Sequence, residues 1–297
     1  MSIKLHEQVA IVTGAGHGLG RSHALALAER GARVVVNDLA EDDAKSVVNE
    51  IEVAGGTAMA VACSVSDNDA VVAMVNQAVE AWGRVDILVN NAGILRDKTF
   101  HKMSLDDFQL VIDVHLMGSV YCTKAVWGLM REQQYGRVLF TSSSTGLYGN
   151  FGQANYAAAK MAMVGLMNTL HLEGEKYNIR VNCLAPAAGT AMTEGLFPEK
   201  AFELLAPETV SPGVVFLVSP DAPSRTVLAA GGGGFAAFKG FETDGINLLP
   251  ENLSAEGVAD AWSSITDESR MKALKMGFEQ ASKLAMKAAT NLGIDLS

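Results

Sequence analysis

The sequence predicts an α/β fold, a doubly wound parallel sheet covered by helices on both faces. Short apolar, β-branched runs alternate along most of the 297-residue chain with longer segments of helical periodicity. Gly31, Gly55 and Gly83 stand after three of those longer segments, where helix C-terminal caps belong. Alternation of this kind implies right-handed crossovers between parallel strands, and hence one domain built on one sheet.

The predicted strands are the runs richest in apolar and β-branched residues. They lie at residues 9–13, 33–38, 57–62, 87–90, 137–142, 180–185 and 226–230. The predicted helices between them lie at residues 20–30, 44–54, 69–82, 104–133 and 153–177. A further apolar element is expected at residues 214–218, and the four glycines at 231–234 are expected to form a flexible stretch.

The C-terminal segment carries one amphipathic pattern. Within residues 267–289, apolar side chains recur at helical spacing at Met271, Leu274, Phe278, Ala281 and Ala285. We interpret this segment as a helix that packs on its own domain or on a partner subunit, and a separate binding module is the alternative.

The composition is typical of a globular protein with a sizeable core, since 49% of the residues are hydrophobic and 19% are charged. The net charge of −10 disfavours binding to the phosphate backbone of nucleic acids, but not binding of a phosphorylated small ligand. Cys63, Cys122 and Cys183 are scattered in apolar segments, which favours buried free thiols in a reducing compartment over disulfides.

The sequence shows no secretory signal and no run of the ~20 apolar residues that span a bilayer. Residues 294–297 are not a Ser-Lys-Leu peroxisomal signal. We therefore expect a cytoplasmic protein with no membrane partner and no metal site.

A glycine-rich loop follows the first predicted strand and opens the first predicted helix. Thr13 begins it, and Gly14, Gly18, Leu19 and Gly20 complete the spacing Thr-Gly-x-x-x-Gly-x-Gly. Glycines let the backbone approach a pyrophosphate, and the free N–H groups of a helix N-terminus bind the anion. A tight strand-to-helix turn is the alternative, but the position after the first strand favours a Rossmann-like dinucleotide site.

An acidic residue ends the second predicted strand. Asp38 stands 20 residues after Gly18, where a carboxylate accepts hydrogen bonds from a ribose diol and repels a 2′-phosphate. His17 lies nearby and would favour a 2′-phosphate, but a histidine is a weak phosphate ligand at neutral pH. We therefore predict NAD rather than NADP as the cofactor.

Asn90, Asn91, Ala92 and Gly93 follow the fourth predicted strand. Small residues let the chain pass near a cofactor, and the two amides can satisfy buried backbone groups. A purely structural polar turn explains this cluster equally well.

The strongest functional pattern is a triplet of Ser143, Tyr156 and Lys160. Tyr156 and Lys160 are four residues apart, so a helix places them on one face a single turn apart. Ser143 follows the strand before this helix, so its hydroxyl can meet the phenol. The arrangement suits proton transfer to or from an alcohol or ketone oxygen. Taken singly, the serine is explained as a strand-end cap and the tyrosine as a half-buried aromatic.

Together, the glycine loop, residues 90–93 and the triplet resemble the short-chain dehydrogenase/reductase family over residues 5–235. The resemblance implies NAD(P)-dependent interconversion of an alcohol and a carbonyl. A narrower resemblance, to the dehydrogenase domain of peroxisomal multifunctional enzymes type 2, rests on residues 37–39, 118–119, 148–156 and 185–193. It implies oxidation of a (3R)-hydroxyacyl-CoA with NAD, or a 17β-hydroxysteroid dehydrogenase activity.

The chain departs from the wider family at several positions. His115 stands where the family has an Asn that helps to hold a water of the proton relay, chiefly through its backbone carbonyl, and a core histidine is the alternative. Ser64 and Val65 stand where many members have Asp-Val at the adenine, and Pro186-Ala187 replaces Pro-Gly in the loop over the nicotinamide. The resemblance also places Thr190 at the cofactor.

The expected mechanism of oxidation begins with transfer of the hydroxyl proton to Tyr156. The ordinary pKa of tyrosine, ~10, is too high for a base at neutral pH, so Lys160 and the nicotinamide are expected to lower it. Ser143 hydrogen-bonds the substrate oxygen. Lys160 also binds the nicotinamide ribose and passes protons outward through water near Asn90 and His115.

An apolar loop at residues 190–207 could cover either of two substrate classes, acyl thioesters or steroids. The alternative interpretation of this loop is the ordinary packing of a helical lid. Its apolar side chains are Met192, Leu196, Phe197, Phe202, Leu204 and Leu205. A non-catalytic NAD-sensing scaffold is the alternative of another class.

We assign residues 1–235 to a catalytic domain with the cofactor and substrate sites, and residues 236–297 to a C-terminal extension. The predicted helices at 104–133 and 153–177 often form a dimer interface in the family, so a homo-oligomer, dimer or tetramer, is expected.

Overall fold

The computed structural model describes residues 2–193, 195 and 198–296. The chain divides into two compact units, Met1–Phe238 and Lys239–Ser297. The first unit contains an eight-stranded sheet with helices on both faces, which confirms the predicted α/β class. None of the described helices is long and apolar enough to cross a membrane.

All eight strands belong to this one sheet. Their bounds are β1 (Val9–Val12), β2 (Arg33–Asp38), β3 (Thr57–Ala62), β4 (Ile87–Asn90), β5 (Gly136–Thr141), β6 (Ile179–Pro186), β7 (Val227–Gly231) and β8 (Gly234–Phe238). The spatial order is β3-β2-β1-β4-β5-β6-β7-β8, and neighbours are parallel except β7 and β8. The order reverses between β1 and β4, so a crevice opens at the carboxyl ends of these two strands.

The helices of the first unit are α1 (Gly18–Glu29), α2 (Glu41–Val53), α3 (Asn68–Trp82), α4 (Leu105–Ile112), α5 (Gly118–Gln133), α6 (Ser144–Tyr148), α7 (Ala154–Gly174), α8 (Glu199–Leu204) and α9 (Ser211–Leu217). The helices of the second unit are α10 (Ala255–Asp260), α11 (Trp262–Ile265) and α12 (Gly277–Leu292). The apolar element expected at residues 214–218 is thus the end of helix α9.

Two apolar cores lie on opposite faces of the sheet because successive side chains of a strand point to opposite sides. In β1, Ala10 and Val12 pack in one core, and Val9 and Ile11 pack in the other. All four residues of β1 are fully buried, as expected for a parallel strand with helices on both faces.

The long helix expected at residues 104–133 is interrupted. A π-helical turn, Asp113–Met117, separates α4 from α5. Turns of this kind insert one residue into a helix and occur frequently at functional sites. The inserted turn contains His115, whose side chain is buried.

The glycines at 231–234 are not a flexible stretch, and this prediction was wrong. Gly232 and Gly233 have φ of +58° and +77° and form a two-residue turn between β7 and β8, with Gly231 paired to Gly234. Positive φ at both central residues is the geometry that favours glycine in tight hairpins. Strand β8 extends to Phe238, past residue 235, the predicted end of the first domain.

In the second unit, the helix expected over residues 267–289 begins later. The backbone of Lys272 pairs with that of Glu242 in an isolated antiparallel bridge, which excludes Met271 and Leu274 from helix α12. Lys283 pairs with Glu242, and Lys287 Nζ lies 2.9 Å from Asp244 Oδ2. These ion pairs hold α12 to the segment that follows the bridge.

Candidate active site

A cavity of about 340 Å³ lies at the carboxyl ends of the central strands. It extends from the glycine loop to Tyr156 and Lys160, and every residue predicted to bind the cofactor lines it. Besides those two, they are Gly14, Gly18, Leu19, Gly20, Asp38, Ser64, Val65, Asn91, Ala92, Gly93 and Thr190. His115 also lines the cavity, whereas Asn90 and Ser143 are not among the residues that line it.

The glycine loop is packed so closely that side chains do not fit. Gly14 has φ of +60°, and a Cβ there would lie 2.8 Å from Ala92 Cα. A Cβ on Gly20 would lie 2.1 Å from the carbonyl oxygen of Gly14. Helix α1 has no side-chain cap at its N-terminus, so its first N–H groups remain available to an anion.

Asp38, at the end of β2, is bound to this loop. One carboxylate oxygen accepts a hydrogen bond from Gly16 N at 2.8 Å, and the other accepts one from Leu39 N at 2.8 Å. The carboxylate is thereby held at the cavity wall, close to the start of α1.

Asn91 cross-links the end of β4 to the glycine loop. Its Nδ2 donates to the carbonyl oxygens of Thr13 and Gly14 at 3.0 and 2.9 Å. Thr13 Oγ1 in turn accepts hydrogen bonds from the amides of Asn91 and Ala92. Asn91 therefore has the structural role of a polar turn and also lies at the cavity wall.

The triplet converges from two elements. Ser143 follows β5 and caps helix α6, where its Oγ accepts a hydrogen bond from Thr145 N at 3.2 Å. Tyr156 and Lys160 lie one turn apart on α7, with Lys160 Nζ 5.5 Å from the centroid of the Tyr156 ring. Lys160 Nζ donates to the carbonyl oxygen of Thr141 at 2.6 Å, which fixes the ammonium at the end of β5.

Burial dominates the ionisation of these groups. Burial raises the pKa of the Tyr156 phenol, a hydrogen bond with Ser143 lowers it, and the charge of Asp97 raises it. Burial lowers the pKa of Lys160 to about 7. In the protein without a dinucleotide, burial therefore outweighs the hydrogen bond from Ser143, and the expected lowering by Lys160 together with a bound nicotinamide stays a prediction.

His115 is held edge-on against Tyr156, with ring centroids 5.2 Å apart. Its Nε2 lies 2.8 Å from the carbonyl oxygen and 3.0 Å from the amide nitrogen of Ile94. A Cβ on Gly93 would lie 2.3 Å from its Cε1, so a glycine is required there. Burial, and next the charge of Lys160, lower the pKa of His115 to about 3, which keeps the imidazole neutral at physiological pH.

Several polar atoms near the triplet lack partners. His115 Nδ1 and Thr141 Oγ1 are buried, and no described residue hydrogen-bonds to either. Asn90 is buried too; its Nδ2 lies 3.4 Å from Thr123 Oγ1, and its Oδ1 is unpartnered within the described part of the chain. Buried polar atoms of this kind are usually satisfied by water or by a bound ligand.

The loop expected to cover the substrate starts at the cavity wall. Thr190, Ala191 and Met192 line the cavity, whereas the side chain of Leu204 is largely exposed. Leu196 and Phe197 lie outside the described residues.

The contact of Gln153 with Asp97, at 2.7 Å, had no signal in the sequence because these residues lie 56 positions apart.

The short chain dehydrogenase family profile matches residues 8–201. A short-chain type dehydrogenase/reductase of Mycobacterium tuberculosis is 46% identical over 278 residues, which cover 90% of this chain and 97% of the relative. Peroxisomal multifunctional enzyme type 2 of Drosophila melanogaster is 45% identical over 280 residues, but the match covers 90% of this chain and 46% of that enzyme. The chain thus spans less than half of the multifunctional enzyme.

Solved structures of related proteins also match this chain. The structure of the full-length Drosophila enzyme matches with a TM-score of 0.82 and 40% identity, over 98% of this chain and 51% of that one. A 7α-hydroxysteroid dehydrogenase, complexed with NADH and 7-oxo glycochenodeoxycholic acid, matches with a TM-score of 0.73 and 33% identity, over 78% of this chain and 95% of that one. By sequence and by fold, the chain belongs to the short-chain dehydrogenase/reductase family.

Proposed function

We propose that this chain is an NAD-dependent dehydrogenase that interconverts a secondary alcohol and a ketone, with a (3R)-hydroxyacyl-CoA as substrate. The observation that carries the proposal is the position of Tyr156 and Lys160 at one end of a cavity whose other end is the glycine loop with Asp38. A proton-transferring group and a dinucleotide site thereby share one cavity.

The residues of the cavity fit a dinucleotide. The close packing of Gly14 and Gly20 leaves only main chain at the start of α1, as a pyrophosphate needs. Asp38 favours a free ribose diol over a 2′-phosphate. His17 does not supply a free cation for such a phosphate, because its Nε2 lies 2.9 Å from Asp43 Oδ2. These features support NAD rather than NADP as the cofactor. When bound, NAD would supply the hydride acceptor.

Each residue of the triplet has a separate task in oxidation. Tyr156 accepts the hydroxyl proton of the alcohol as a general base. Ser143 donates a hydrogen bond to the substrate oxygen and keeps it in line with the phenol. Lys160, buried and fixed to Thr141, places a titrating ammonium beside the ring of Tyr156. His115 and Asn90 offer unpartnered atoms for a water that exchanges protons with Lys160.

The relatives support two substrate classes. The multifunctional enzymes, of which this chain matches a part, favour the acyl thioester, and the related 7α-hydroxysteroid dehydrogenase favours a steroid alcohol as the second candidate. The cytoplasmic location and the homo-oligomer stay predictions, and the Drosophila relative is named as peroxisomal.

The test is a screen for NADH production with (3R)-hydroxyacyl-CoA thioesters, their (3S) isomers, hydroxysteroids and simple secondary alcohols. We expect saturable turnover of the (3R) thioesters, with the Tyr156→Phe variant as the background. Turnover of steroids alone would favour the second candidate. An absence of turnover with every alcohol, combined with measurable NAD binding, would instead favour an NAD-sensing scaffold.

A further inference from the structure

Asn155 is the second residue of α7 and immediately precedes Tyr156. Its side chain is fully buried, and both ends of its amide are hydrogen-bonded. Oδ1 accepts a hydrogen bond from Tyr156 N at 2.8 Å. Nδ2 donates to the carbonyl oxygen of Arg96 at 3.1 Å and, at the longer distance of 3.5 Å, to that of Asp107. These partners determine the orientation of the amide, because a flipped amide would face the N–H of Tyr156 with its own hydrogens.

The bond to Tyr156 N satisfies a group that a helix leaves free. The first N–H groups of an α-helix have no acceptor within the helix, and Gln153, which precedes α7, makes no side-chain cap. Asn155 supplies the acceptor for Tyr156 N instead. The first turn of α7, which carries the phenol, is therefore held by this side chain.

The bond to Arg96 attaches the loop after β4 to the same turn. Ile94, two residues earlier in that loop, lies against the ring of His115. The carbonyl oxygen of Ile94 is 2.8 Å from His115 Nε2, and its amide nitrogen is 3.0 Å away. The ring of His115 meets the ring of Tyr156 edge-on, with centroids 5.2 Å apart. The loop is therefore connected to Tyr156 twice, at its main chain through Asn155 and at its ring through His115.

Two further hydrogen bonds join the loop to the N-terminal end of α7, but they lie nearer to solvent. Lys98 N donates to the carbonyl oxygen of Gly152 at 2.9 Å. Gln153 Nε2 donates to Asp97 Oδ2 at 2.7 Å. Lys98 and Asp97 are exposed, whereas Asn155 is fully buried. Water replaces a hydrogen bond lost at an exposed position, but a buried polar group left without a partner costs free energy. The geometry of the loop thus depends most on the bond from Asn155.

We propose that Asn155 is a positioning residue that fixes the phenol of Tyr156 against the imidazole of His115 by joining the first turn of α7 to the loop after β4. The inference rests on the proposed role of Tyr156 as the base. Asn155 is not among the residues that line the cavity, so it acts through the main chain of Tyr156 and Arg96.

The first experiment separates the two bonds of the amide. In Asn155→Asp, one carboxylate oxygen still accepts from Tyr156 N, but the ionised group has no donor for the carbonyl oxygen of Arg96. We expect kcat for alcohol oxidation at alkaline pH to fall roughly tenfold, because the phenol loses its fixed orientation. The affinity for NADH should stay within about twofold of the wild type, because the glycine loop is untouched. Asn155→Ser is too short to reach Arg96 and adds no charge, so the same pair of results is expected of it.

Asn182 on β6 provides a matched control. It too is fully buried, its Oδ1 accepts from Thr226 N at 3.0 Å, and its Nδ2 donates to the carbonyl oxygen of Pro223 at 2.7 Å. None of its hydrogen-bond partners lines the cavity. We expect Asn182→Asp to lower the unfolding temperature about as much as Asn155→Asp does and to leave kcat unchanged. An equal loss of kcat in both variants would mean that the effect is one of stability alone, and the inference would be wrong.

A second measurement does not depend on turnover. In protein that contains isotope-labelled histidine, the nuclear magnetic resonance signal of His115 Nε2 reports its contact with Ile94. His115→Asn identifies this signal by its absence. We expect the signal to move in Asn155→Asp and in Asn155→Ser, and to stay in place in Asn182→Asp.

The two measurements together distinguish the possible failures. A signal that stays in place in both variants of Asn155 makes the inference wrong, whatever happens to kcat. A signal that moves while an active enzyme keeps its kcat also makes it wrong, because the position of the ring then does not matter for the reaction. If the signal moves but the wild-type protein oxidises no alcohol, the connection from Asn155 to His115 stands and the proposed function fails.

Discussion

The glycine-loop end of the cavity and the proton-transfer end are held in place by different means. At the first, main-chain hydrogen bonds and close glycine contacts set the geometry, and the side chains of Asp38 and Asn91 are hydrogen-bonded to the main chain. At the second, buried ionisable side chains lie among polar atoms that have no hydrogen-bond partner among the described residues. The first end should therefore respond to changes of volume, and the second to changes of charge.

The largest effect is expected from added volume in the glycine loop. Gly20→Ala places a Cβ against the carbonyl oxygen of Gly14, which forces α1 away from the loop. We expect the unfolding free energy, measured by urea unfolding, to fall by about 3 kcal/mol. We also expect NADH binding, measured by fluorescence titration, to be lost. Gly128→Ala is the control, since a Cβ there meets no atom within 4 Å. Equal stability of the two variants would contradict the steric account.

The opposite behaviour is expected at the other end. Tyr156→Phe removes one hydroxyl without adding volume, so NAD binding and unfolding free energy should change little. Turnover should fall ~10²-fold or more because the proposed general base is lost. Steady-state kinetics together with fluorescence titration of NADH separate the two quantities, and near-normal turnover would remove Tyr156 from the mechanism.

The buried imidazole of His115 should make stability depend on pH. Its pKa is about 3 in the folded protein and ordinarily 6.5, so the unfolded chain takes up a proton that the folded chain refuses. Its stabilising contribution is complete above pH 6.5 and is lost as the pH falls towards 3, by about 1.4 kcal/mol per pH unit.

Replacing this histidine tests that slope. His115→Asn should lower the slope of unfolding free energy against pH between those limits by about 1.4 kcal/mol per pH unit, measured by urea unfolding at several pH values. The remaining slope includes that of buried His23, whose pKa burial also lowers to about 3. The exposed His101→Asn serves as the control and should leave the slope as it is in the wild type. An unaltered slope in His115→Asn would mean that the imidazole is not buried in its neutral form.

A smaller effect is expected from the charge at the glycine-loop end. Asp38→Ala removes the carboxylate that we propose to favour a ribose diol, so the ratio of kcat/KM for NAD to that for NADP should fall about tenfold. The fold should persist, because Leu39 and Gly16 lose only exposed or half-buried hydrogen bonds. An unchanged ratio would exclude Asp38 as the source of cofactor preference.

Much of the glycine-loop end of the cavity, and the triplet, could be predicted from the sequence. Strands β2, β3 and β4 have the predicted bounds, and the apolar runs of β2 and β4 are short and end at polar residues. The glycine loop and Tyr156 with Lys160 were recognisable because their spacing along the chain is local. Local patterns of this kind follow directly from the periods of strands and helices.

Features that depend on distant contacts were not predictable. The contact of Gln153 with Asp97 depends on how two loops meet, and the raised pKa of Tyr156 depends on burial in the folded domain. The π-helical turn around His115 leaves the apolar periodicity of residues 104–133 almost unchanged. Strand β8 did have a local signal, since two glycines between short apolar runs are typical of a hairpin.

The cross-link made by Asn91 determines when the glycine loop becomes ordered. Because its amide already ties the glycine loop to β4, the loop loses its conformational entropy when the protein folds, not when a ligand arrives. The loop is therefore preorganised, and hydrogen exchange of its hydrogen-bonded amides, those of Ala15 and Gly16, should be slow before any dinucleotide is added. Asn91→Ala would move that ordering step to the moment of binding and weaken affinity in part through entropy.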